Sequence, residues 1–187
     1  GIDANGSGFR VKAVCTSQVH PCPEQSLDKS TFDNFAMAIE ADNPEIYTFT
    51  VEDAIFNNNS YGIKMTYVNN ATVLFSDFYI GQPSEGEQQE CGGKASAYGI
   101  YMDNCTGFAI EENEFYKAEG APTGNYTGIR INNTEAADEV YNNIFEGLSY
   151  ANYAEAKNWK DNYTWQGLAY YCNDNTGNWQ DITVADI

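Results

Sequence analysis

The sequence predicts an all-β solenoid of four to five coils, and three observations carry that prediction. A small residue followed by an aliphatic recurs as Ala38-Ile39, Gly62-Ile63, Gly99-Ile100, Gly128-Ile129 and Gly167-Leu168. A second anchor follows the first four, as Asp53-x-Ile55, Asp77-x-Tyr79, Asn113-x-Phe115 and Asn143-x-Phe145, at 16, 16, 15 and 16 residues from the aliphatic. Successive aliphatics stand 24, 37, 29 and 39 residues apart, so the variable length falls outside the anchored unit. A coil of fixed length with insertions on one side behaves this way.

Taken in order, Asp3-Ala4-Asn5-Gly6-Ser7-Gly8 has oxygen donors at alternate positions, like the first half of a calcium loop, but Val14 stands where the bidentate Glu belongs. An ordinary Gly-Asn turn is the competing reading. Residues 9–14 alternate as a strand does, and 15–30 read as a polar loop with two prolines. We assign residues 1–34 as an N-terminal capping segment and 35–187 as the solenoid. Ile39 heads the first coil, Asn43-Pro44 turns, and Tyr47 to Val51 has high β-propensity. The second coil alternates at Ile63, Met65 and Tyr67, then turns at Asn69-Asn70. Insertions are placed at about 81–97 and 147–164. The third and fourth coils lie around Ile100 and Ile129. A fifth opens at Gly167-Leu168, with Val184 as a degenerate second anchor.

Asn and Asp recur at the corners because a coil bends sharply between short strands, and Asn tolerates left-handed backbone angles. Stacked coils place equivalent asparagines above one another, where their amides form a hydrogen-bonded ladder. These repeats, Gly-Ile followed by Ile-x-x-Asn-x-Phe, resemble the right-handed parallel β-helix proteins of the pectate-lyase-like group. The resemblance covers about 35–184 outside the insertions. It implies a right-handed parallel β-helix; function stays open, because that fold hosts lyases, hydrolases, adhesins and structural stalks. Lyases of the group use calcium-binding aspartates and a basic residue, and hydrolases use paired carboxylates with a histidine and Arg-x-Lys. Here no lysine follows Arg130 at the right place, no Asp-Asp pair occurs, and His20 lies outside the repeats. No catalytic residue is assigned, and an enzyme is not expected. Glu111, Glu112 and Glu114 flank the third coil as calcium donors or a solvated charged face.

A net charge of -18 excludes nucleic acid as a partner, since phosphate is repelled. No run of about eighteen apolar residues exists to span a membrane. With Gly1 first and no signal peptide visible, a processed or partial chain is expected. Of five cysteines, Cys15 and Cys22 enclose a short loop and are the first disulfide candidates; Cys91 and Cys105 are the second, leaving Cys172 over. Five free thiols is the alternative. Zinc is not expected, for want of a Cys-x-x-Cys pair.

Seven sequons, at Asn5, Asn58, Asn70, Asn104, Asn125, Asn132 and Asn162, exceed the two or three that chance at about this composition gives. Corner asparagines inflate that number, and an amide used in a ladder cannot carry a sugar. Asn5, Asn125 and Asn162 are expected in loops. An aromatic cluster surrounds the second insertion, with Tyr153, Trp159, Tyr163, Trp165 and Trp179 as candidates for stacking sugar rings or anchoring an interface. A loop folded over the last coil is the competing account.

A short β-helix leaves strand edges at its ends, and edges recruit strands. The expected function is therefore an extracellular or cell-surface structural subunit, glycosylated, stacking head to tail into a filament, sheath or adhesive stalk. The alternative is a carbohydrate-active module that binds or degrades polysaccharide. No cofactor is expected, calcium through Asp3, Asn5 and Ser7 being the weak exception.

Overall fold

The repeats close into a right-handed parallel β-helix, described by a computed structural model over residues 1–42, 47–82, 95–159 and 166–186. The first coil holds β1 (Ile2–Asn5), β2 (Phe9–Lys12), a small antiparallel hairpin of β3 (Val14–Cys15) and β4 (Leu27–Asp28), and β5 (Ser30–Asp33). The next three coils are β6 (Met37–Asp42), β7 (Phe49–Glu52) and β8 (Ala54–Asn57); β9 (Tyr61–Thr66), β10 (Thr72–Leu74) and β11 (Asp77–Ile80); and β12 (Ala95–Asp103), β13 (Ala109–Glu111) and β14 (Glu114–Lys117). The remainder are β15 (Gly124–Asn132), β16 (Glu139–Tyr141) and β17 (Ile144–Glu146); β18 (Tyr150–Glu155), β19 (Ala169–Tyr171) and β20 (Asp174–Thr176); and β21 (Gln180–Ala185). Equivalent strands pair in parallel into one seven-stranded and two six-stranded sheets.

The described residues thus form six coils and the first strand of a seventh, more than the four to five expected. Residues 1–34 supply one of them: β1, β2 and β5 each join a sheet. The other was hidden in the 147–164 stretch, where β18 pairs with β15 at Ile129↔Asn152. The Gly-Ile signature there has become Ala151-Asn152. Gly167-Leu168 consequently does not open a coil, and Val184 pairs with Ala154 in the first sheet.

Register explains the core. Ile2, Ile39, Ile63, Ile100, Ile129, Asn152 and Ile182 form one vertical file. Val11, Val51, Val73, Ile110, Val140 and Tyr170 form another on the second sheet. On the third sheet the file is Phe32, Phe56, Phe78, Phe115, Phe145 and Asn175. Phe115 and Phe145 were expected as anchors, but Ile55 and Tyr79 are corrected by one residue to Phe56 and Phe78. The residue on the interior side is the phenylalanine in each case, and the neighbouring Tyr79 points out, 40 % exposed. The rings stack one per rung, with centroids 4.6–5.0 Å apart, matching the strand spacing of about 4.8 Å.

Two local devices hold the coils in shape. At Gly99 a Cβ would stand 2.7 Å from both the Phe115 ring and the Gly128 carbonyl; at Gly128 it would stand 2.7 Å from the Phe145 ring. Glycine at these two places makes room for the phenylalanine file. At the corner between second and third sheets, Glu112 and Asn142 take φ of 56° and 53°, and the asparagine after each points inward. Asn113 and Asn143 are wholly buried. The Asn113 backbone N–H and its Nδ2 both donate to Asn143 Oδ1 at 3.0 Å, and Asn143 does the same to Asn173 Oδ1 at 2.9 and 3.1 Å. Their amides also donate to the carbonyls of Val73 and Ile110. The ladder expected at the corners is present, and it satisfies buried backbone groups that a bare turn would orphan.

Candidate binding face on the first sheet

Outward positions of the first sheet are also filed by register. Met37, Tyr61, Tyr98, Thr127, Tyr150 and Gln180 form one outer file, and Glu40, Lys64, Tyr101, Arg130, Tyr153 and Thr183 form the next. Period-2 alternation sends Ile100 and Met102 into the core and Tyr101 out. Tyr98, three residues before Tyr101, reaches the same outer face, and the two rings meet edge to face at 5.5 Å. Tyr61 stacks on Tyr98 at 5.0 Å. Further along, Tyr150 meets Tyr153 at 5.3 Å and Trp179 at 5.7 Å, both edge on.

Arg130 stands at the centre. Its guanidinium carbon lies 5.9, 5.5 and 5.2 Å from the ring centres of Tyr98, Tyr101 and Tyr153, within cation–π range. Nε donates to Glu155 Oε2 at 2.9 Å, NH2 donates to the same oxygen, and NH1 reaches the Tyr98 hydroxyl at 3.4 Å. Burial by itself would lower the Arg130 pKa, but the Glu155 hydrogen bond and the surrounding acidic groups raise it. Burial also raises the Tyr61 and Tyr101 phenols. The face therefore holds fixed, neutral rings around a permanently charged fork. A cavity of about 180 Å³ opens beside it, lined by Ser96, Tyr98, Asn125, Thr127, Arg130, Tyr150 and Tyr153.

Of the aromatic candidates, Tyr153 and Trp179 come to this face. Trp159 stands apart, with the Lys157 ammonium 5.8 Å from its ring centre, and Tyr163 and Trp165 lie outside the described residues. The sequence reading missed Tyr61, Tyr98, Tyr101 and Arg130. Their signal was available: each flanks the small-residue–aliphatic pair, immediately before or after it.

The Cys15–Cys22 disulfide forms and ties the loop between β3 and β4. The Cys91–Cys105 pairing is corrected at Cys105, a free thiol; Cys91 lies outside the described residues. Cys105 is buried, donates to the Asp103 carbonyl at 3.4 Å, and burial pushes its pKa up to about 12. Cys172 is free and exposed. Of the calcium candidates Asp3, Asn5 and Ser7, the first two belong to β1, paired with Glu40 and Asp42, and so lie on a strand where the sequence pattern placed a loop.

Among the sequons, Asn5 ends β1 and Asn70 is exposed in a turn, while Asn58 and Asn104 sit at corners with φ of 51° and 54°. Asn125, expected in a loop, lies within β15 and lines the cavity. Asn132 Nδ2 is already committed to Asp103 Oδ1 at 2.9 Å. Asn162 lies outside the described residues. Glu112 and Glu114 meet Glu24, Asp53 and Asp77 around a second cavity of about 350 Å³. Lys29 pairs with Asp77 there at 2.9 Å, and burial raises the Asp53 pKa.

No curated protein matches this chain, and no solved structure does. A family profile matches residues 11–181, nearly the full span of the helix. The chain belongs to the family described as periplasmic copper-binding protein (NosD).

Proposed function

We propose that this protein is an exported β-helix binding module that takes polysaccharide on the outer face of its first sheet. The observation that carries the reading is Arg130 held among the rings of Tyr98, Tyr101 and Tyr153. Flat tyrosine faces repeated along a rigid sheet suit the apolar faces of sugar rings, while a fixed fork and nearby hydroxyls suit sugar hydroxyls. Residence beyond the cytoplasm is supported by the family's periplasmic description and by the Cys15–Cys22 disulfide. The family description is of a binding protein, in keeping with the expectation of no catalysis.

Copper, which the family description names, does not fit the described residues. Copper sites draw on imidazole, thiolate and thioether donors. Met65 and Met102 are wholly buried in the core, the buried Cys105 thiol is far from its thiolate form at neutral pH, and the exposed donors His20, Met37 and Cys172 stand on the first, second and sixth coils. Among the described residues, no group of three or more His, Cys, Asp or Glu side chains is arranged to hold a metal ion, and the carboxylates lining the larger cavity offer none of the soft donors copper prefers.

Affinity electrophoresis through gels containing soluble polysaccharides tests the reading. The parent protein should be retarded by at least one neutral polysaccharide. The Tyr101→Ala, Tyr153→Ala double variant should run about as in a plain gel. Retention unchanged in the double variant refutes it.

Head-to-tail assembly remains the second reading, favoured by one observation. The isoleucine file runs out to Ile182, 52 % exposed, beside Val184 at 76 %, and β19, β20 and β21 each end a sheet of the described residues. Light scattering at rising concentration should show growing particles. A fixed monomer mass across the series rejects it.

A further inference from the structure

On the outer face of the third sheet, register sets Tyr79 of β11 directly beside Tyr116 of β14. Their rings stack with centroids 5.8 Å apart and planes inclined by 21°. Among the described residues the other stacked tyrosine pair is Tyr61 with Tyr98, and the remaining tyrosine contacts are edge on. The two pairs differ in their surroundings. Period-2 alternation puts Glu114 on the same face as Tyr116, and the Tyr116 hydroxyl donates to Glu114 Oε2 at 2.8 Å. Glu146 stands beside Tyr116 on the next rung. Burial, and after it the Glu114 hydrogen bond, raise the Tyr116 phenol, so it is protonated at neutral pH. Such a phenol gives up an electron readily when its proton leaves at the same time, and Glu114 is placed to accept that proton. The negative charges of Glu114 and Glu146 also favour loss of an electron from the ring between them. At the other pair, Arg130 reaches the Tyr98 hydroxyl at 3.4 Å and lies 5.9 Å from its ring centre, and a cation there opposes that loss.

We propose that Tyr79 and Tyr116 form an oxidative cross-linking site, joined by a carbon–carbon bond when hydrogen peroxide and a one-electron oxidant of the haem-peroxidase class act on the protein. Each phenol loses one electron and one proton, the Tyr116 proton passing to Glu114 and the Tyr79 proton to water. The two phenoxyl radicals couple through ring carbons ortho to oxygen. The hydrogens on those carbons then move to the oxygens, which restores both aromatic rings. Hydrogen peroxide takes up the two electrons and two protons and becomes two water molecules. Tyr79, exposed on the surface, gives the oxidant access to the pair. The bond falls where the chain ties neighbouring coils least closely. Residues 81–94 separate β11 from β12, whereas residues 58–60 suffice between β8 and β9. Joining residues 79 and 116 closes that excursion into a loop, and a closed loop restricts the unfolded chain. The cross-link is thus a staple between the third and fourth coils.

Treatment of the purified protein with hydrogen peroxide and a haem peroxidase tests this, read by dityrosine fluorescence, intact mass and tandem mass spectrometry of proteolytic fragments. The monomer should lose two hydrogens, and the fragments carrying Tyr79 and Tyr116 should appear joined. Tyr79→Phe and Tyr116→Phe each remove only a hydroxyl group and should lower that product at least tenfold. Glu114→Gln keeps the side-chain shape but not the base, and should slow the coupling at least fivefold. The cross-linked protein should unfold at a higher urea concentration than the untreated one. Tyr61 joined to Tyr98 as the main product, or bonds formed only between monomers, overturns the assignment. So does an absence of dityrosine in a reaction where added N-acetyltyrosine couples. An unchanged rate in Glu114→Gln overturns the proton transfer, and an unchanged urea midpoint overturns the staple.

Discussion

Replacing Asn143 by alanine cuts the corner ladder at its middle, and the structure sets the size of the damage. Asn143 Oδ1 is the acceptor for the Asn113 backbone N–H and for Asn113 Nδ2, both at 3.0 Å. Its Nδ2 donates to the Ile110 and Tyr141 carbonyls at 2.9 and 3.0 Å. Asn143 is wholly buried, so water does not replace what is removed. A buried backbone group left without a partner costs about 1–3 kcal/mol. Two such groups, the Asn113 N–H and the Ile110 carbonyl, bring the expected loss to about 2–6 kcal/mol. With a urea dependence of about 2 kcal/mol per molar, the unfolding midpoint should fall by about 1–3 M. Urea titration followed by far-UV circular dichroism and tyrosine fluorescence together reads this, and disagreement between the two probes would expose uncoupled coils. Asn142→Gly is the control: the residue is exposed with φ of 53°, a backbone state that glycine adopts freely. The reasoning is refuted if Asn143→Ala shifts the midpoint no more than Asn142→Gly does.

Two further outcomes follow from the packing. Gly99→Ala puts a methyl group 2.7 Å from both a ring and a carbonyl, and such overpacking costs about 1–3 kcal/mol; a melting temperature equal to the parent's would show that the coil yields freely. Cys105 should resist alkylation in the native state at pH 8 while Cys172 reacts, as mass spectrometry of iodoacetamide-treated protein would show. Because burial raises the Cys105 pKa to about 12 from the 9.0 of an ordinary thiol, its contribution to stability is complete below about pH 9 and declines as pH rises towards 12. Cys105→Ala should flatten the fall in stability over that window, and an unchanged slope would assign the fall to other groups.

The repeat was legible wherever its chemistry was kept, and illegible where one side chain changed. Ala38-Ile39, Gly62-Ile63, Gly99-Ile100 and Gly128-Ile129 all lie in strands of the first sheet, in register with one another as the spacing predicts. The sixth coil was lost because Asn152 occupies the isoleucine file and Asn175 the phenylalanine file. Asn152 is wholly buried with neither amide atom partnered, a placement no hydropathy pattern anticipates. The one-residue slip at Ile55 and Tyr79 has a related cause: Ile55-Phe56 and Phe78-Tyr79 each put two bulky residues side by side, and only pairing with neighbouring rungs selects which faces in.

By itself, the sequence determined the architecture: the spacing of small, aliphatic, amide and aromatic residues admits one winding, because each must bury or hydrogen-bond at the same angle on every turn. The cluster of rings around Arg130 was decided by tertiary structure alone. Tyr98 and Tyr150 are 52 positions apart along the chain, and no local rule relates them. Only the stacking of rungs at about 4.8 Å brings both rings to either side of Thr127 and sets Arg130 beside them.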